Sequence, residues 1–189
     1  TPVGPARADG SLAEELTRRF ETAPDRRPDN TVEVQLPIVH AVFPDARVLH
    51  LRVPPDAQAV EVGVAIHDFA TGTGTNVCVV GSTDLTHYGP TYGFTPHGTG
   101  PEANRWAREV NDQAIIEAMV RMYPERVMEL GSRELAACSS GAAAAAIAFA
   151  TRVGVPKGTL VEYGQSSDIH PGSSFVGYAG VGFAEPATS

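Results

Sequence analysis

The spacing of apolar and polar positions divides the chain into helical and extended stretches separated by Gly- and Pro-rich breaks. Ser11-Leu12-Ala13-Glu14 has the Ser-x-x-Glu form of a capping box and predicts a short helix towards Phe20, closed by Pro24 and Pro28. Leu36, Val39 and Val42 or Phe43 recur at helical spacing, so a second helix is predicted from Val34 to Phe43, although Val32 and Val34 alternate with polar residues. Arg47 to Val53 carries Val48, Leu49, Leu51 and Val53 and reads as a strand stopped by Pro54-Pro55. The Ala/Val-rich stretch from Asp56 to Ala70 predicts a helix ended by Thr71-Gly72-Thr73-Gly74-Thr75. The run Val77-Cys78-Val79-Val80 reads as a strand buried on both faces of a parallel sheet, with Cys78 as a small core hydrophobe.

Gly and Pro then dominate from Gly89 to Pro101, and a loop longer than about 12 residues in a compact domain usually carries function. Glu102 to Tyr123 predicts a long helix with Trp106, Val110, Ala114, Ile115, Met119 and Met122 on an apolar stripe and Arg105, Arg108, Glu109 and Asp112 facing outward. Another helix runs from Pro124 to Leu130 and breaks at Gly131, and a last one runs from Ser140 to Ala150. The five consecutive alanines Ala142 to Ala146 give that last helix high propensity and let a neighbouring backbone approach closely. Thr159 to Tyr163 and Ser174 to Phe183 are the closing strands, joined by a polar turn from Gly164 to Ser173. Strands alternating with helices indicate an α/β layer structure with a mainly parallel sheet, the last two strands forming an antiparallel edge.

Composition narrows the function classes. A length of 189 residues favours one domain, and 42% hydrophobic with 19% charged residues is ordinary for a globular chain, which excludes collagen-like and disordered classes. The longest apolar runs fall far short of the ~20 residues that span a bilayer, so no membrane partner is expected. Twenty-two acidic against 14 basic residues give a net charge of −8, and Arg18-Arg19 and Arg26-Arg27 are too short a basic footprint for nucleic acid. Two cysteines without CxxC spacing point to a reducing cytoplasm rather than a disulfide framework. The opening Thr1-Pro2-Val3-Gly4-Pro5 has neither the basic nor the apolar region of a secretory signal and no starting Met, so Thr1 is expected to begin a processed product or a fragment.

The strongest chemical signal is Gly81-Ser82-Thr83-Asp84-Leu85-Thr86-His87-Tyr88-Gly89, where an apolar run passes into a polar loop. In open α/β sheets ligands bind beyond the carboxyl ends of strands, which is where Asp84 and His87 fall. Such a pair serves equally as metal ligands, as a ligand with its orienting partner, or as an acid/base pair. Cys138 precedes the Ala-rich helix, whose N-terminal potential favours a thiolate, the form needed for attack or metal ligation. Cys138, His87 and Asp84 therefore have the residue types of a thiol triad or of a mixed S/N/O metal site. Gln165, Ser166, Asp168 and His170 form a polar turn suited to a pocket rim, and His97 sits in the long loop as a candidate lid residue; His40, His50 and His67 lie within regular elements. Thr1 has the side chain of an N-terminal nucleophile, but its irregular surroundings give that role no support.

Taken in order, these motifs closely resemble the MEMO family, also called AmmeMemoRadiSam system protein B. The blocks are Thr1-Pro2-Val3-Gly4, Asp29-Asn30-Thr31-Val32-Glu33-Val34-Gln35-Leu36-Pro37, the Gly81 to Gly89 segment, Cys138-Ser139-Ser140-Gly141, and Tyr163-Gly164-Gln165-Ser166-Ser167-Asp168 followed by Ser174-Phe175-Val176-Gly177-Tyr178-Ala179. The resemblance implies a three-layer α/β/α fold with a mainly parallel sheet, shared with class III extradiol ring-cleaving dioxygenases that use non-haem Fe(II). It implies a pocket lined by histidines and a cysteine with an Asp and a His nearby, mapping here onto Cys138, Asp84 and His87 as metal-site and catalytic residues. Fe(II) or another redox metal is the implied cofactor, with a small molecule or a peptide in the pocket.

Two departures shape the expectation. Asn30 stands where the family usually has a pocket histidine, and the family's N-terminal segment with its two metal-lining histidines has no counterpart here. Residues 1–189 are thus expected to be a single MEMO-like domain lacking its N-terminal segment, with missing ligands supplied by that segment, a second chain or a homo-oligomer. On this view the metal pocket is either functional or vestigial. Two other readings stand beside it: a non-catalytic protein-interaction scaffold on the same fold, and a thiol hydrolase using Cys138, His87 and Asp84.

Overall fold

In the computed structural model, which describes Gly4, residues 6–25 and residues 30–184, helices are the principal elements; Thr1, Pro28 and Asp29 lie outside the described residues. Contacts group the chain into two units, residues 1–52 with 68–77, and residues 53–67 with 78–189.

In the first unit, β1 (Arg7–Ala8) pairs in parallel with β2 (Arg47–Val48), Arg7 opposite Arg47. Helix α1 (Gly10–Arg19) turns Leu12 and Leu16 inward. Its cap is Asp9 and not the expected Ser11: the Asp9 carboxylate accepts from the Leu12 N–H at 3.0 Å and from the Ser11 hydroxyl at 2.7 Å. Those bonds, the Leu12 amide foremost, hold the Asp9 carboxyl below its usual range. The helix predicted from Val34 to Phe43 forms as α3 (Leu36–Val42), with Pro37 in its first turn where proline fits, and a short α2 (Asn30–Glu33) precedes it. The strand expected from Arg47 to Val53 is reduced to β2, since the residues after Val48 find no pairing partner among the described residues.

Helix α4 (Ala57–Thr73) crosses from the second unit into the first at His67–Asp68 and continues past Gly72, further than predicted. In the second unit β3 (His87–Tyr88), β4 (Thr159–Gln165) and β5 (Phe175–Gly182) form an antiparallel sheet in the order β3-β5-β4. The antiparallel pairing of the last two strands is as expected; among the described residues, parallel pairing occurs only between β1 and β2. The run Val77 to Val80, expected as a buried strand, belongs to no sheet among the described residues, and Cys78 and Val80 are exposed. Its apolar character calls for neighbours on both faces that the described residues do not provide.

The long helix comprises α5 (Pro101–Trp106), a π-helical turn (Ala107–Asp112) and α6 (Gln113–Val120). The π turn corrects the predicted stripe: Ala103, Ala107, Asn111, Ile115 and Met119 are buried, whereas Val110 is 53% exposed and Asp112 is wholly buried. At 100° per residue, each step of four overshoots a full turn by about 40°, and four steps would carry Ala103 and Met119 to nearly opposite sides. The wider i→i+5 turn absorbs that drift, keeps this row inward and rotates Asp112 off the surface. Helix α7 (Pro124–Arg133) passes through Gly131 where a break was predicted. A Cβ at Gly131 would collide with Ser140, so the glycine serves close packing against α8 (Ser140–Val153). Leu85, Ile115, Ile116, Met119, Val127, Leu130 and Ile147 form the main core, and Tyr163, Ala179 and Val181 of the sheet pack on it. No helix among the described residues is long and apolar enough to cross a membrane.

Candidate metal centre

Asp84, His87 and Cys138 come together within the second unit, and their ligating atoms all lie within 4.8 Å of one another. Two segments deliver them. One is the extended stretch that enters β3, fixed to β5 by Leu85 N–H donating to Gly177 O at 2.9 Å and Gly177 N–H donating to Thr86 O at 3.1 Å. The other is the loop between α7 and α8. The segments zip together at the site: Cys138 N–H donates to Asp84 O at 3.2 Å, and Asp84 N–H donates to Cys138 Sγ at 3.3 Å. Thr83 reinforces the join, its hydroxyl donating to Asp84 O at 2.9 Å while accepting from Ser139 N–H at 2.9 Å.

His87 Nε2 lies 3.2 Å from Asp84 Oδ2. The His87 ring packs against Tyr92, with centroids 4.9 Å apart, and Tyr92 lies in the 3₁₀ turn Pro90–Tyr92 that opens the Gly-rich loop. Burial foremost, then the charges of Asp84 and Tyr92, push the Tyr178 phenol of β5 up from its ordinary value. All three candidate ligands are at least partly accessible, Cys138 the most. The centre thus lies at the surface, accessible to solvent.

The convergence admits two chemistries. A thiol triad needs a relay in which the imidazole bridges nucleophile and carboxylate, and His87 does lie within hydrogen-bond distance of the Asp84 carboxylate. One sulfur, one nitrogen and one oxygen within 4.8 Å of one another are equally a donor set that a metal ion could use. A tetrahedral ion with bonds of about 2.0–2.3 Å holds its ligands roughly 3.5 Å apart, close to the His87–Asp84 separation of 3.2 Å. Soft thiolate with imidazole and carboxylate suits iron or zinc better than magnesium or calcium.

Other residues singled out by sequence lie elsewhere. His170 and Ile169 are exposed beyond the 3₁₀ turn Ser166–Asp168, and Asp168 instead caps that turn through Gln165 N–H at 2.8 Å and pairs with Arg108. His97 stacks on Trp106, centroids 4.2 Å apart, while Tyr88 accepts from its N–H at 3.0 Å and donates to Gly98 O at 3.0 Å. The Gly89 to Pro101 loop is therefore pinned at its middle by a buried phenol. Sequence reasoning missed Tyr92, Tyr178, Asn111 and Asp112; the first three carry no local pattern that singles them out, and regular helix spacing reads Asp112 as facing outward.

Comparison with known proteins agrees with the motif order. Residues 1–182 match the family described as Memo-like protein. A MEMO1 family protein of Methanopyrus kandleri is 29% identical over 196 residues, covering 97% of this chain and 63% of its own length. Those of Archaeoglobus fulgidus and Methanosarcina barkeri are each 30% identical over 188 residues, covering 97% and 96% of this chain and 66% of their own length. The chain thus spans just under two thirds of the length of these curated relatives.

Proposed function

The chain belongs to the Memo-like family, and from that premise we propose that Asp84, His87 and Cys138 hold a redox-active divalent ion of the non-haem iron type, in a three-layer fold related to class III extradiol dioxygenases. The convergence of the three donor atoms within 4.8 Å carries the proposal. When bound, such an ion would supply Lewis-acid and one-electron chemistry. The protein's own groups do the rest. The backbone amide of Asp84 steadies the sulfur, and the Tyr92 ring packed on His87 offers aromatic surface that suits a small planar ligand such as an ortho-diphenol. Packing of α6 on the β4–β5 sheet supports the layered arrangement. The free thiols Cys78 and Cys138 support a reducing, cytoplasmic setting.

Anaerobic titration with Fe(II), followed by competition with a chromophoric chelator, tests the reading. Cys138→Ala and His87→Ala should each weaken binding by at least about tenfold. Unchanged affinity in both variants, or no uptake by the parent chain, would sink it, and the second result would favour a non-catalytic interaction scaffold.

A further inference from the structure

The π turn reaches both segments that carry the candidate ligands. Asn111 is 4% exposed, and its Nδ2 donates to Thr86 Oγ1 at 3.0 Å and to Glu134 O at 3.0 Å. Thr86 adjoins His87; Glu134 begins the stretch that ends at Cys138. Its neighbour Asp112, wholly buried, accepts from Thr86 N–H at 3.0 Å and from the Tyr163 hydroxyl at 2.7 Å. Thr86 is therefore gripped at its amide by Asp112 and at its hydroxyl by Asn111. The far end of the Asn111 bridge falls where the chain needs holding: Leu135, directly after Glu134, adopts φ 50°, a left-handed conformation that residues other than glycine rarely take.

We infer that Asn111, seated by the π turn, is a positioning residue that sets the spacing between Cys138 and the Asp84–His87 pair by bridging Thr86 and Glu134. This rests on the metal reading for its purpose but not for its geometry. A regular α-helix through residues 107–112 would not keep Asn111 and Asp112 both inward while Ala103, Ala107, Ile115 and Met119 remain buried. The π turn thus puts two buried polar groups in register with the site, Asn111 satisfied through both segments that carry the ligands and Asp112 through Thr86 and Tyr163. Residues that orient metal ligands from behind typically alter metal affinity 10–100-fold when replaced.

The test uses Asn111→Leu, which keeps side-chain bulk and removes both donors, with two readouts. The first needs no metal: hydrogen exchange of the Cys138 and Asp84 amides, both of which bond across the two segments. The second is Co(II) titration followed by the sulfur-to-cobalt charge-transfer band. In folded Asn111→Leu, exchange at Cys138 should accelerate at least about tenfold and Co(II) affinity should fall by about tenfold or more. Thr86→Val cuts the bridge at its other end while leaving the backbone amide to Asp112, and should give both losses even if Asn111→Leu does not fold. Cys138 exchange and Co(II) affinity both within twofold of the parent, in whichever variant folds, would overturn the inference. A parent chain that shows no Co(II) band, or one indifferent to Cys138→Ala, would instead refute the metal reading and leave the exchange measurement to decide the positioning role.

Discussion

Gly177 on β5 faces the buried Asp112 carboxylate so closely that a methyl group has no room. A Cβ there would stand 2.8 Å from Asp112 Cγ and 3.0 Å from Oδ1, and nearer still to Oδ2. Ordinary carbon–oxygen contact lies about 0.5 Å or more further out, so Gly177→Ala must push the carboxylate away from β5. Gly177 is not among the positive-φ glycines, so alanine meets no backbone penalty and the effect is steric. Displacement lengthens the bonds from Thr86 N–H and Tyr163 Oη–H, now 3.0 and 2.7 Å. Overpacking costs about 1–3 kcal/mol, and weakening one charged hydrogen bond costs about 1.5 kcal/mol or more. A net loss of about 3 kcal/mol is expected. Urea unfolding followed by the fluorescence of Trp106, the single tryptophan, reads the unit concerned; with m near 2 kcal/mol/M the midpoint should fall by about 1.5 M. The decisive measurement is the double-mutant cycle. In an Asp112→Ala background the clash has no partner, so Gly177→Ala should cost less than about 1 kcal/mol, a coupling of about 2 kcal/mol. Additivity within 0.5 kcal/mol would refute the reasoning.

Two further outcomes follow from the same neighbourhood. Burial pushes the Asp112 carboxyl up from its ordinary 3.8, against the pull of its bonds from Thr86 and Tyr163. The unfolded chain then releases this proton at lower pH than the folded one, so the contribution of Asp112 to stability is full below 3.8 and declines as pH rises towards the raised folded value. The stability advantage of the parent over Asp112→Asn should therefore shrink as pH rises through that window, and an advantage that is flat or grows in paired urea titrations would contradict it. Tyr88→Phe should cost about 1 kcal/mol and speed amide exchange at His97, because the phenol accepts the His97 N–H and donates to Gly98 O; unchanged His97 exchange would contradict the pinning.

Much of this architecture can be read from the chain, and the failures have physical causes. Helices α1, α4 and α8 and strands β4 and β5 follow from local pattern because their pattern, propensity and breakers agree. The Val77 to Val80 run misleads because apolar continuity specifies what a strand must be covered by, while a sheet needs a partner backbone that no local signal supplies. Asp84 and His87 are legible because they follow an apolar run at a three-residue interval, and Cys138 because it precedes a strong helix. Their convergence is a tertiary fact, made by bonds between Asp84 and Cys138 that span 54 positions. Asp112 is illegible for a different reason. Reading it as outward presumes one fixed angular step per residue, and the π turn departs from that step at this point.

That departure makes chain length a constraint in its own right between Ala107 and Asp112. Side chains such as Val110, which face solvent, should tolerate many replacements, yet removing Val110 altogether would rotate everything on one side of the cut by about 100° relative to the other. A deletion scan and a substitution scan of this stretch should accordingly disagree most at its most exposed position. There the number of residues, rather than their identity, decides whether the buried polar pair still reaches the site.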